Sequence, residues 1–120
     1  MDHFNEAGQK APEQKRITGF RPVVYICSPY RGDTDTNVKM AREYCRIAVE
    51  KNAIPFAPHL LYPQFMNDEE LALFMGKVML DKCAEVWVFG DTMSEGMKGE
   101  IARAKSKKKV IRYFKEENND

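Results

Sequence analysis

VWVFGDTMSEGMKGE, Val86 to Glu100, decides the fold of this chain. Its first five residues, Val86 to Gly90, are apolar, β-branched and aromatic, the make-up of a strand buried on both faces. Gly90 and Asp91 end the run, because glycine admits dihedrals that strand residues avoid. Thr92-Met93-Ser94 then leads into a helix opening at Glu95-Gly96-Met97, with Ser94 as a natural N-cap. A helix that begins just past the carboxyl end of a parallel strand points free N–H groups into a crevice and makes a ready anion site. Glu100 falls about one and a half turns into that helix, where it can present a carboxylate to the same crevice. Spacing alone leaves a second reading open, a capped helix with a solvated glutamate.

Upstream, Arg21-Pro22 precedes a buried strand, Val23 to Cys27, and a loop, Ser28 to Asp33. Thr34 to Asn37 offers caps for a helix running to about Lys51, with an apolar stripe at Val38, Ala41, Cys45, Ala48 and Val49. Ile54 to Pro58 reads as a short strand whose two prolines place it at an edge or end it early. His59 to Phe65 reads as an aromatic loop of the kind that covers something. Asn67-Asp68 caps a helix over about Glu69 to Lys82, whose expected core face is Leu71, Phe74, Met75, Val78, Met79 and Cys83. Downstream, the last helix runs to about Lys105 and the last strand is Val110 to Phe114. Strands alternating with helices through short links force parallel pairing by right-handed crossovers. The expected fold is α/β: a small doubly wound, flavodoxin- or Rossmann-like parallel sheet of four or five strands with helices on both faces. Three loops are expected to meet at the carboxyl ends of its strands: Ser28–Asp33, Pro58–Phe65 and Asp91–Gly96.

With 120 residues the chain makes one domain. The polar first twenty residues read as a disordered arm, 21–115 as the folded unit and 116–120 as a solvated tail. A net charge of +1 gives no global basic field for nucleic acid. The lysines from Lys105 to Lys109 fit a helix C-terminus better than a nucleic-acid contact. Cys27, Cys45 and Cys83 are scattered without a C-x-x-C pair, which suits reduced thiols and a cytoplasmic protein. No apolar run reaches the roughly 20 residues of a membrane helix, and the N-terminus lacks a signal-peptide pattern. His3 and His59 have no ligand spacing, so no metal is expected, and no cofactor either, since neither a dinucleotide fingerprint nor a Walker A motif is present. Arg31, in a glycine loop at the sheet mouth, suits a phosphate clamp through its planar fork or is an exposed loop arginine. His59 suits proton transfer or ligand contact, or a structural role beside proline. Tyr25 is either core or site.

Tyr25-Ile26-Cys27-Ser28-Pro29-Tyr30-Arg31-Gly32, with Glu85 to Gly90 followed by Ser94-Glu95-Gly96-Met97-Lys98-Gly99-Glu100-Ile101, resembles the nucleoside 2-deoxyribosyltransferase superfamily. Within it, the chain is similar to the small relatives labelled DUF4406, and the resemblance covers roughly residues 22–114. It implies chemistry at a nucleosidic C1′, with Glu100 attacking or stabilising the anomeric carbon and Tyr25 orienting that carboxylate. Ser28, Arg31, Gly32, His59, Ser94 and Gly96 become the implied substrate-binding residues. Ser94, where nucleoside transferases carry a carboxylate, with Gly96 and Arg31, resembles the branch that hydrolyses 2′-deoxynucleoside 5′-monophosphates and holds a 5′-phosphate. The implied partner is a nucleoside or nucleotide, and a homodimer or higher homo-oligomer is implied because such sites are often completed by a neighbouring subunit. One departure stands out: Lys77 occupies the position of the family's helix aspartate, with Asp81 one turn later. A catalytically silent nucleotide-binding module is therefore the alternative reading.

Overall fold

A computed structural model describes residues 17–115 of the chain. Residues 1–16 of the proposed N-terminal arm and the whole of the proposed tail, 116–120, lie outside these residues. Within them the order is β1 (Val23–Cys27), α1 (Thr34–Glu50), β2 (Ile54–Phe56), α2 (Pro58–Leu61), a 3₁₀ turn (Tyr62–Gln64), α3 (Glu69–Lys82), β3 (Glu85–Phe89), α4 (Glu95–Ser106) and β4 (Val110–Phe114). The strands form one parallel sheet in the order β2-β1-β3-β4. The chain therefore steps outward from β1 to β2, then crosses back to β3 and out to β4. The reversal falls between β1 and β3, the place where sheets of this kind bind ligands.

Alternation along the strands sorts the core into two layers. Tyr25, Cys27, Val86 and Val88 face α3 and α4, where Leu80, Cys83, Met97, Ile101 and Ala104 pack on them. Val24, Ile26, Trp87 and Phe89 face the other way, onto Tyr44 and Ala48 of α1. The Tyr44 ring stacks on Phe89 at 4.4 Å. Both central strands are thus apolar throughout, as a sheet covered on two sides requires. Gly90 ends β3 at φ +106, and a Cβ there would lie 3.2 Å from Pro29 Cδ. This glycine lets the two strand ends lie side by side.

Four expectations need correction. First, β2 stops at Phe56, and the expected aromatic loop is largely helical. Pro58 is the reason: its fixed φ suits the first turn of a helix, so it begins α2 instead of closing the strand. Second, the cap of α1 is Asp33, whose carboxylate accepts from the Thr36 N–H at 3.2 Å. Third, the stripe on α1 is rotated: Tyr44 is buried with Ala41 and Ala48, while Val49 is exposed. Fourth, α3 buries Gly76 and Leu80, and leaves Leu71, Phe74 and Val78 exposed, Phe74 to 63%. The helix approaches Tyr25 closely at Gly76, where a Cβ would lie 3.1 Å from the hydroxyl oxygen, and this sets Gly76 and Leu80 inward and Leu71, Phe74 and Val78 outward.

Candidate active site

Glu100 comes to its place through the packing of α4. Ser94 caps the helix, its Oγ accepting from the Met97 N–H at 3.2 Å. Met97, Ile101 and Ala104 recur at three- and four-residue steps and press the helix on the sheet. Position 100 belongs to the same stripe. A glutamate is thereby carried inward and left 8% exposed. There the Tyr25 hydroxyl donates to Glu100 Oε2 at 2.8 Å. Tyr25 is 1% exposed, and its register opposite Val86 in the sheet holds its position.

A cavity of about 280 Å³ opens over this pair. Glu100, Tyr25 and Gly76 line its inner part, and Tyr30, His59 and Tyr62 supply aromatic walls. Its volume is near the lower bound of small-molecule sites, roughly 300 Å³. Tyr30 stacks on His59 with centroids 4.7 Å apart and planes 20° from parallel. The His59 Nε2 atom is 2.8 Å from the Ser28 carbonyl, which can only accept. His59 is therefore the Nε2–H tautomer, with Nδ1 left as an acceptor. Arg31 on the β1–α1 loop and Glu69 at the start of α3 form an ion pair and also line the cavity.

Burial pushes the Glu100 carboxyl above the usual carboxylate range, while the Tyr25 hydroxyl, the Cys27 thiol and the Lys77 ammonium pull it back. Burial, then the neighbouring Glu100 charge, pushes Tyr25 and Cys27 well above their ordinary values. Tyr25 thus stays protonated and serves as a fixed donor. Burial lowers His59, against the opposing effect of its bond to Ser28. The result is a carboxylate with one oxygen anchored, held in a water-poor recess among flat aromatic surfaces. Such a group is disposed to meet an electrophilic carbon.

The family model described as "Domain of unknown function (DUF7768)" matches residues 22–114. The chain belongs to that family. Its members carry this label where the motif resemblance pointed to DUF4406. A search of curated proteins finds no match. Among solved structures, the domain is similar to a 2-desoxiribosyltransferase from Leishmania mexicana, at 16% identity and a TM-score of 0.62. The alignment covers 80% of this chain and 65% of that one, so this chain spans slightly less than two thirds of the neighbour's length. At this identity the likeness establishes the fold, a deoxyribosyltransferase-like α/β sheet.

Of the sequence-derived candidates, the DUF7768 domain gathers Tyr25, Arg31, His59 and Glu100 around one cavity. Ser28, Gly32, Ser94 and Gly96 are outside its lining. Ser28 is buried, its carbonyl engaged by His59 and its Oγ without a hydrogen-bond partner among the described residues. Gly32 holds a left-handed turn at φ +97. Ser94 Oγ accepts in its helix cap, and the third expected loop, Asp91–Gly96, supplies no residue to the cavity lining. Lys77 is exposed on α3, close enough to Glu100 to act on its charge. Asp81 is held elsewhere, by the Arg103 guanidinium with Nε–Oδ1 at 2.9 Å, and does not replace an aspartate at position 77. Sequence reasoning missed Gly76, where a Cβ would lie 3.1 Å from the Tyr25 hydroxyl oxygen. It also missed Tyr62, assigned to a loop, and Glu69. A lone glycine within an apolar helix was the signal for the first.

Proposed function

We propose that this domain acts at the N-glycosidic bond of a (deoxy)nucleoside or its 5′-monophosphate, as a hydrolase or a deoxyribosyltransferase. One observation carries the reading: a buried carboxylate, Glu100, held by the Tyr25 hydroxyl inside an aromatic-walled cavity beside the sheet's reversal point. The deoxyribosyltransferase-like fold agrees with it. In the proposed step a Glu100 oxygen bonds to C1′ as the C1′–N bond breaks. The base departs with the electron pair and takes up a proton. Water or a second base then attacks C1′ and releases the carboxylate. This is the retaining logic of a carboxylate nucleophile. Tyr25 is a positioning residue that keeps one Glu100 oxygen occupied and aims the other.

Of the residues implied in holding a 5′-phosphate, Arg31 lines the cavity, while Ser94 and Gly96 lie outside its lining. A second reading rests on Lys77. An ammonium cannot accept the hydrogen bonds an aspartate would, and a silent nucleotide-binding module follows from that. For assembly we propose a homodimer through the outward face of α3, which leaves Leu71, Phe74 and Val78 exposed; exposed apolar patches mark interaction surfaces.

Purified protein incubated with purine and pyrimidine nucleosides, 2′-deoxynucleosides and their 5′-monophosphates, with and without an acceptor base, tests the proposal. Chromatographic appearance of free or exchanged base, abolished in Glu100→Gln, supports it. Ligand-induced thermal stabilisation without turnover selects the silent module. Neither turnover nor stabilisation across the panel rejects both.

A further inference from the structure

The proposed site leaves its charge preference open, and one ion pair at the cavity bears on it. We infer that Glu69 is a specificity-determining residue: by occupying the guanidinium of Arg31, it keeps the cavity selective for uncharged nucleosides over their 5′-monophosphates. This rests on the nucleoside reading of the site.

Arg31 is well placed to receive an anion. It lies on the loop after β1, four positions past Cys27, and the Asn37 amide donates at 3.0 Å to the carbonyls of both Tyr30 and Arg31, pinning that loop. Gly32 supplies the turn behind it. Glu69 is equally fixed, as the first residue of α3, behind the Asp68 cap that accepts from the Leu71 N–H at 3.0 Å. The two side chains meet as an ion pair at the cavity, and both are largely exposed, 72% and 64%.

The remaining charges point the same way. Among the described residues, Arg31 is the one arginine or lysine lining the cavity, and it shares that lining with three carboxylates, Asp68, Glu69 and Glu100. The N-terminus of α3, a natural attractor of anions, is already answered by Asp68, Glu69 and Glu70. A phosphate entering this cavity meets a guanidinium already neutralised and two further carboxylates. A neutral nucleoside meets hydroxyl and carboxylate acceptors and aromatic walls, with no such opposition. Because the pair is exposed, it is weak and displaceable. The expected discrimination is therefore modest, at most about five-fold.

The test compares a 2′-deoxynucleoside with its 5′-monophosphate by titration calorimetry on the whole chain. The unmodified protein is expected to bind the nucleoside more tightly. In Glu69→Gln the affinity ratio is expected to move about three- to five-fold toward the monophosphate. In Glu69→Gln/Arg31→Gln that gain is expected to disappear, because the freed guanidinium causes it. Nucleoside binding with a ratio that moves less than three-fold in Glu69→Gln overturns this inference and leaves the nucleoside reading standing. A gain that survives in the double variant also overturns it, since a diffuse field would then be the cause. Failure of every nucleoside and monophosphate to bind overturns both. Circular dichroism of each variant confirms that the fold is unchanged.

Discussion

Replacing Tyr25 by phenylalanine should cost more stability at neutral pH than in acid, and the difference should vanish when Glu100 is also neutralised. The side chain is 1% exposed, and its hydroxyl donates at 2.8 Å to a buried carboxylate. A hydrogen bond to a charged group contributes about 1.5–3 kcal/mol, and a neutral one about 0.5–1.5 kcal/mol. Tyr25→Phe should therefore lower the unfolding free energy by about 2 kcal/mol at pH 7. In the Glu100→Gln background the same change removes only a neutral bond, so a double-mutant cycle should give a coupling of about 1 kcal/mol. Guanidinium unfolding of the four proteins at pH 7 measures it, with the slope checked for constancy. A coupling below about 0.3 kcal/mol would refute the claim that Tyr25 holds a charged Glu100.

Three further outcomes are expected. Glu100→Gln should stabilise the protein at neutral pH. Burial raises the folded-state pKa above the ordinary 4.5, so the acid form's contribution is complete below that pH and lost as pH rises through the folded value. Each tenfold weakening of the acid corresponds to about 1.4 kcal/mol, and melting curves against pH should show the variant's advantage closing toward pH 4. His59 is shifted downward, so the wild type should lose stability as pH falls below about 6.5 toward the folded value. His59→Gln, followed by thermal melting between pH 7 and 5, should flatten that slope. Gly76→Ala should leave the melting temperature within a few degrees, since better helix propensity of about 1 kcal/mol offsets crowding. It should still cut base release about tenfold, because the new methyl meets the Tyr25 hydroxyl at 3.1 Å. Unchanged release would show that the Tyr25–Glu100 geometry does not matter.

The doubly wound order was legible because Val23–Cys27 and Val86–Gly90 are continuous apolar runs separated by helical stripes, which admit few topologies. The inward turn of Glu100 was legible too, had Met97, Ile101 and Ala104 been taken as one stripe with position 100 on it. The face of α3 was not. Its large apolar residues suggest a buried side at Leu71, Phe74 and Val78, but the close approach to Tyr25 selects Gly76 and Leu80 instead. Propensity and periodicity carry no information about which side chain will stand opposite, so that choice belongs to tertiary packing. The Arg31–Glu69 pair was hidden for the same reason, since its members are 38 positions apart.

The most direct test of the account is a crystal structure of Glu100→Gln soaked with a 2′-deoxynucleoside. The account predicts the base among Tyr30, His59 and Tyr62, and C1′ within about 3.5 Å of the residue-100 side chain, the separation of a near-attack arrangement. A nucleoside bound with its sugar turned away from position 100, or one seated on another surface while this cavity stays vacant, would contradict it.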